Sequence, residues 1–226
     1  MLDTSILAFL QSLAWTGPVP GGVEVLSPFS NPETMAVCRA FYRAFYHDKA
    51  PRTLLIGINP GRFGGGVTGI PFTDPVRLQV ECGIDNPWPK KQELSSVFMY
   101  EMIRAFGGPQ AFYKKIYITS VSPLGFTRQG KNLNYYDDTH LLGALEPFAV
   151  DCLRRQLAWG MNTAVAFCLG GGKNFAYLEK LNAKYGFFGK IIPLAHPRYI
   201  MQYQLKQKAA HIATYLESFS IEGILA

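Results

Sequence analysis

The sequence predicts a three-layer α/β/α fold around a short, mainly parallel four-stranded sheet. Four runs, at 53–58, 116–121, 164–169 and 191–194, are apolar almost without interruption. Such runs mark strands buried on both faces, as in a parallel sheet. Helical periodicities fall between and around them, the alternation that lays helices on both sides of a sheet. The length of 226 residues, 48% hydrophobic and 17% charged, suits one globular domain over 1–226, with a substantial core.

In chain order, MLDTSILAFLQSLAW opens with an apolar run that no Lys or Arg precedes, and it carries Asp3, Ser5 and Gln11. It reads as an amphipathic helix and not as a signal peptide. A helix over 32–48 starts on Asn31 and Pro32, a cap followed by a first-turn proline. Further helices are expected over 95–106, 140–159, 173–185 (after Gly170-Gly171-Gly172) and 202–219. There is no internal repeat, and no stretch approaches the roughly 20 apolar residues of a membrane span.

The formal charge is +6, from 22 Lys and Arg against 16 Asp and Glu. A basic surface fits a polyanionic partner without choosing one. Cys38, Cys82, Cys152 and Cys168 are scattered, with no CxxC pair and no histidine at zinc spacing. They read as free thiols of a reducing cytoplasm, with no metal and no iron–sulfur cluster. Two motif matches fail. Gly64–Gly69 fits G-x-G-x-x-G, but Pro71 and Pro75 follow where a dinucleotide fingerprint must open a helix. Gly171-Gly172-Lys173 lacks the remaining P-loop residues and reads as a strand-to-helix turn, with a phosphate contact from Lys173 at the helix start as the alternative.

Ligands of open α/β sheets bind at the carboxyl ends of the strands. After the first strand comes a Gly- and Pro-rich loop, GINPGRFGGGVTGIPFTDP, over 57–75, too rich in both to be helical. After the second comes Ser120-Val121-Ser122-Pro123-Leu124, and after the fourth Ala195-His196-Pro197-Arg198. Those ends offer an asparagine, a serine, a histidine and an arginine to one cleft. The segment Phe126–Asn132 interleaves Arg128 and Lys131 with an aromatic and amides, a composition that grips phosphates or simply forms a solvated loop.

The string GINPGRFGGGVTGIPF resembles the first motif of the uracil-DNA glycosylase superfamily. GINPG alone is also similar to the mismatch-specific uracil and thymine glycosylases. The spacing of Asn59, Phe63-Gly64, Thr68-Gly69 and Pro71-Phe72 is closer to the single-strand-selective monofunctional uracil-DNA glycosylases. YITSVSPL (117–124) resembles that family's middle strand, and His196-Pro197-Arg198 its second motif. The resemblance spans about 53–198. Ser120 stands where the family carries a base-reading asparagine, and the second motif is shorter, which suggests a divergent bacterial branch.

The resemblance implies a monofunctional, cofactor-free enzyme of base-excision repair. It would hydrolyse the glycosidic bond of uracil or another deaminated base flipped from single- or double-stranded DNA. Gly57, Ile58, Pro60, Gly61, Phe63, Gly69, Phe72 and Ser120 would hold the base, with Phe72 stacking on it. Asn59 would place the water, and His196 would donate a hydrogen bond to the base oxygen that gathers charge. Asp74 reads as a loop-fixing residue, with a general base as the alternative. The first motif has no lysine to form a Schiff base, so water is the expected nucleophile. Arg198, Arg128, Lys131 and Lys173 would meet DNA. A monomer in the cytoplasm, nucleoid-associated in a prokaryote, is expected. Two other functions stay open: a non-catalytic DNA- or nucleotide-binding module, and an unrelated α/β enzyme of small nucleotides.

Overall fold

A computed structural model of the chain describes residues 1–225. From the amino terminus come α1 (Leu2–Ser12), β1 (Val23–Leu26), α2 (Pro32–Tyr46) and β2 (Thr53–Gly57), then α3 (Gly65–Thr68), α4 (Pro75–Val80), α5 (Leu94–Phe106) and α6 (Pro109–Tyr113). The middle of the chain supplies β3 (Ile116–Ser120), β4 (Gly125–Arg128), β5 (Lys131–Leu133) and α7 (Thr139–Leu157). The last part holds β6 (Val165–Leu169), α8 (Lys173–Tyr185), β7 (Lys190–Leu194), α9 (Pro197–Tyr203) and α10 (Lys208–Ile221).

The four apolar runs form one sheet in the order β3-β2-β6-β7, every neighbouring pair parallel. Every residue of β2, β3 and β6 is buried, because helices cover both faces. The register sets Gly57 beside Ser120 and Leu169 beside Leu194. The strands therefore stop together, and the segments that follow them emerge along one edge.

A second sheet was not expected. β1, β4 and β5 form an antiparallel sheet in the order β1-β4-β5. It takes in the segment 126–132 that the sequence suggested as a phosphate-gripping or solvated loop. Phe126 and Thr127 are buried. Gln129 and Gly130 turn the hairpin with φ of +50° and +66°, as a tight two-residue turn requires. The hairpin presses on the first motif: a β-carbon on Gly125 would stand 2.5 Å from the Pro60 carbonyl oxygen, so only glycine fits there.

Two helix expectations also change. The 57–75 loop is not wholly irregular, since Gly65–Thr68 makes one helical turn closed by Gly69 at φ +72°, the left-handed cap that glycine favours. The carboxy-terminal helix begins at Lys208 and not at 202, because α9 starts on His196-Pro197 and the 3₁₀ turn Leu205–Gln207 separates the two.

Candidate active site

The edge where the parallel strands stop holds a narrow cavity of about 80 Å³. Ile58, Asn59, Pro60, Gly61, Phe72, Ser120, His196 and Arg198 line it, joined by Glu93, Ser95, Asn132 and Asn134. It adjoins a wider cleft of about 390 Å³ walled by Arg62, Phe63, Glu93, Lys131 and Arg198.

Asn59 follows β2 and is held by the hairpin. Its Nδ2 donates to the Leu133 carbonyl at 3.1 Å, and its Oδ1 accepts from the Tyr135 N–H at 3.0 Å. An amide oxygen has two acceptor sites, so one remains for a pocket water. Tyr135 is itself fixed: its hydroxyl donates to Asn174 Oδ1 at 2.7 Å, and Asn174 Nδ2 donates to the Leu169 carbonyl at 3.0 Å. The amide plane is thus set by backbone on the antiparallel sheet and braced against α8 and β6.

His196 caps α9. The Arg198 N–H donates to its Nδ1 at 3.1 Å, so Nδ1 is the acceptor and Nε2 carries the hydrogen. Burial, and then the Arg198 charge, lower its pKa to about 4. Near neutral pH the ring is an uncharged donor.

Phe72 lies with its ring centroid 5.9 Å from that of His196. Its φ is +53°, a left-handed conformation rare for a bulky side chain. The surrounding loop holds it there. The Thr68 hydroxyl donates to the Thr73 carbonyl at 2.7 Å and accepts from the Ile70 N–H at 3.2 Å, while the Thr73 and Tyr100 hydroxyls are 2.9 Å apart. Gly57 makes room: a β-carbon there would sit 3.1 Å from the Phe72 ring and 3.3 Å from Ser120 Oγ. The Ser120 hydroxyl borders the cavity and has no hydrogen-bond partner among the described residues. The arrangement offers a stacking ring, a neutral N–H donor, a free hydroxyl and an oriented amide around one small space.

The uracil DNA glycosylase superfamily matches residues 44–220. The chain belongs to that superfamily. A solved structure, wild-type SMUG2 from Pedobacter heparinus, superposes with a TM-score of 0.95 at 45% sequence identity, covering 98% of each chain. The expected α/β/α fold with its central four-stranded parallel sheet is this superfamily's fold.

Not every expected site residue of this superfamily member faces the cavity. Gly69 lies behind the loop, where a β-carbon would meet Cys38 Sγ and the Phe29 and Thr34 side chains, so its role is the cap of α3 and not base contact. Phe63 is exposed in the outer cleft, under the Arg62 guanidinium at 4.3 Å. Arg128 is partly exposed and pairs with Asp138 at 2.5 Å, which offsets its charge toward a phosphate. Lys131 is exposed on the cleft rim. Lys173 is exposed at the start of α8, with its Nζ 5.6 Å from the Tyr136 ring centroid, and it does not line either cavity. Arg198 borders both.

Asp74 takes the loop-fixing place. One oxygen accepts from the Arg77 N–H and the other from the Glu93 N–H, each at 2.8 Å, which ties the first motif to α5. Glu93, Asn132 and Asn134 were missed. Asn132 Oδ1 accepts from the Arg62 N–H at 3.0 Å and so joins the hairpin to the motif. The four cysteines are free, and burial first of all pushes each thiol up to about 12, which leaves them unreactive.

Proposed function

We propose that this protein is a monofunctional DNA glycosylase of base-excision repair, hydrolysing the N-glycosidic bond of uracil or another deaminated base flipped out of DNA. The observation that carries the reading is His196, its Nδ1 taken by the Arg198 N–H and its Nε2 left free, at the same cavity as the clamped Asn59. Cleavage leaves negative charge on the base and positive charge on the sugar. A fixed N–H donor at the base and an oriented water at the sugar address both. Phe72 offsets part of the unstacking, which costs a few kcal/mol. The free thiols favour work in the cytoplasm.

The test is strand scission of a labelled uracil oligonucleotide. Cleavage is expected after alkali and not before it, with no enzyme–DNA adduct trapped by borohydride. Scission without alkali, together with a trapped adduct, would place an amine nucleophile in the mechanism. DNA binding without base release would leave only a binding module.

Ser120 bears on which base is accepted. An asparagine there could bond two edge atoms of uracil, whereas one hydroxyl satisfies fewer. Bidentate base contacts are worth about 1–3 kcal/mol of discrimination. Ser120→Asn is therefore expected to raise the preference for uracil over xanthine and hypoxanthine by about five- to a hundredfold. Single-turnover rates on the three oligonucleotides check this, and unchanged ratios would remove Ser120 from base reading.

A further inference from the structure

Glu93 is the one carboxylate on the wall of the inner cavity among the described residues, and neither the base contact of His196 nor the water placement of Asn59 calls on it. It heads α5 but does not cap it: its side chain accepts no capping hydrogen bond from the helix backbone. It turns instead toward the first motif and borders both the inner cavity and the outer cleft. The glycines at 61 and 64 make room for it. A β-carbon on Gly61 would lie 3.1 Å from Glu93 Oε1, and one on Gly64 would overlap the carboxylate. The ion pairs of the described residues all lie elsewhere.

The groups facing it come from several elements. Ser95 lies on α5, Asp74 caps α4, His196 and Arg198 open α9, and Arg62 and Lys131 stand across the cleft. Burial, and then the Asp74 charge, raise its pKa above the ordinary carboxylate value, with Arg198 and Ser95 opposing. An unpaired acid is a liability where DNA phosphates must approach, since it repels them. Glu93 stands where the inner cavity meets the outer cleft; with a base in the first and a DNA backbone in the second, the sugar would lie at its level.

We propose that Glu93 is a second water-activating group, whose carboxylate takes a proton from the water that Asn59 orients. This rests on the glycosylase reading above. The bond between C1′ and the base nitrogen breaks, and its electron pair leaves with the base. The water oxygen forms the new bond to C1′, which keeps a hydroxyl, and the other water proton moves to Glu93. That proton then passes to solvent or to the released base anion. Before transfer, the carboxylate's charge also stabilises the cationic sugar. Asn59 orients the water and Glu93 accepts its proton, a division that an amide alone cannot provide.

The experiment compares wild type with Glu93→Gln, which keeps the shape and removes the base. Single-turnover excision of uracil, xanthine and hypoxanthine is followed from pH 5 to 9. The wild-type rate is expected to climb with pH to a plateau as Glu93 ionises. The glutamine variant should lose that climb and lie at least about tenfold below the plateau. Its affinity for an oligonucleotide carrying a non-hydrolysable nucleotide should be equal or tighter, and its melting temperature no lower. A variant that keeps the wild-type rate and slope would overturn the proposal and leave the glycosylase reading intact. A slow variant whose loss is matched by lower affinity or lower melting temperature would overturn it as well. Wild type releasing no base from any oligonucleotide would overturn the glycosylase reading, and this proposal with it.

Discussion

His196→Ala is expected to lower the single-turnover rate of uracil excision by about a hundred- to a thousandfold, with DNA affinity nearly unchanged. Removing one preorganised donor from a developing anion costs about that much. The donor here is specified in detail: Arg198 N–H occupies Nδ1, so Nε2–H is the ring donor left for a base in the cavity. The depressed pKa of about 4 makes the protonation state testable by itself. Imidazole nitrogen shifts are expected to show a neutral Nε2–H tautomer from pH 8 down to pH 5. The linkage has a definite sign. The folded ring resists a proton that the unfolded ring accepts near pH 6.5. Its contribution to stability is therefore intact above about 6.5 and is lost as pH falls from there toward 4. A ring that titrates near 6.5 in the folded protein, or a variant that loses affinity and not rate, would exclude this role.

Asn59→Ala is expected to slow excision by about a hundredfold, the scale of a misplacement of about 1 Å at a reacting group. Asn59→Asp is expected not to recover the rate, although a carboxylate is the stronger base. The reason is the Leu133 carbonyl, to which Asn59 Nδ2 donates at 3.1 Å. An aspartate would set an oxygen against that carbonyl oxygen, two acceptors with no proton between them, and the side chain would turn away or protonate. Single-turnover rates of the two variants, beside unfolding curves, decide the matter. An aspartate variant as fast as wild type would mean that the clamp does not set the geometry.

The parallel sheet was legible because its strands are buried on both faces and so carry unbroken apolar runs, such as Leu54-Leu55-Ile56. Its ends named the site, since Asn59, Ser120 and His196 all lie at, or within two residues of, the carboxyl end of a strand. The antiparallel sheet was not legible in the same way. Lys131-Asn132-Leu133 is short and polar, and β4 pairs with β1 about a hundred residues earlier, as in Val25 with Phe126; local pattern carries no record of that pairing. Phe126-Thr127 ahead of Gln129-Gly130 was the available hairpin signal. Glu93 had none: an acid at a helix start is ordinary, and only the fold brings it against Gly61 and Gly64. Arg128 shows the opposite limit, a cation whose composition suited DNA but whose neighbour in space is Asp138.

The left-handed backbone at Phe72 also bears on how far this protein could be hardened. A residue held in such a conformation costs about 1–3 kcal/mol, against a net folding stability of roughly 5–15 kcal/mol for a whole domain. On the proposed function, heat resistance and base recognition therefore compete at a single position. A selection for survival at high temperature alone would reward glycine there and, in relaxing the chain, remove the ring proposed to stack on the base.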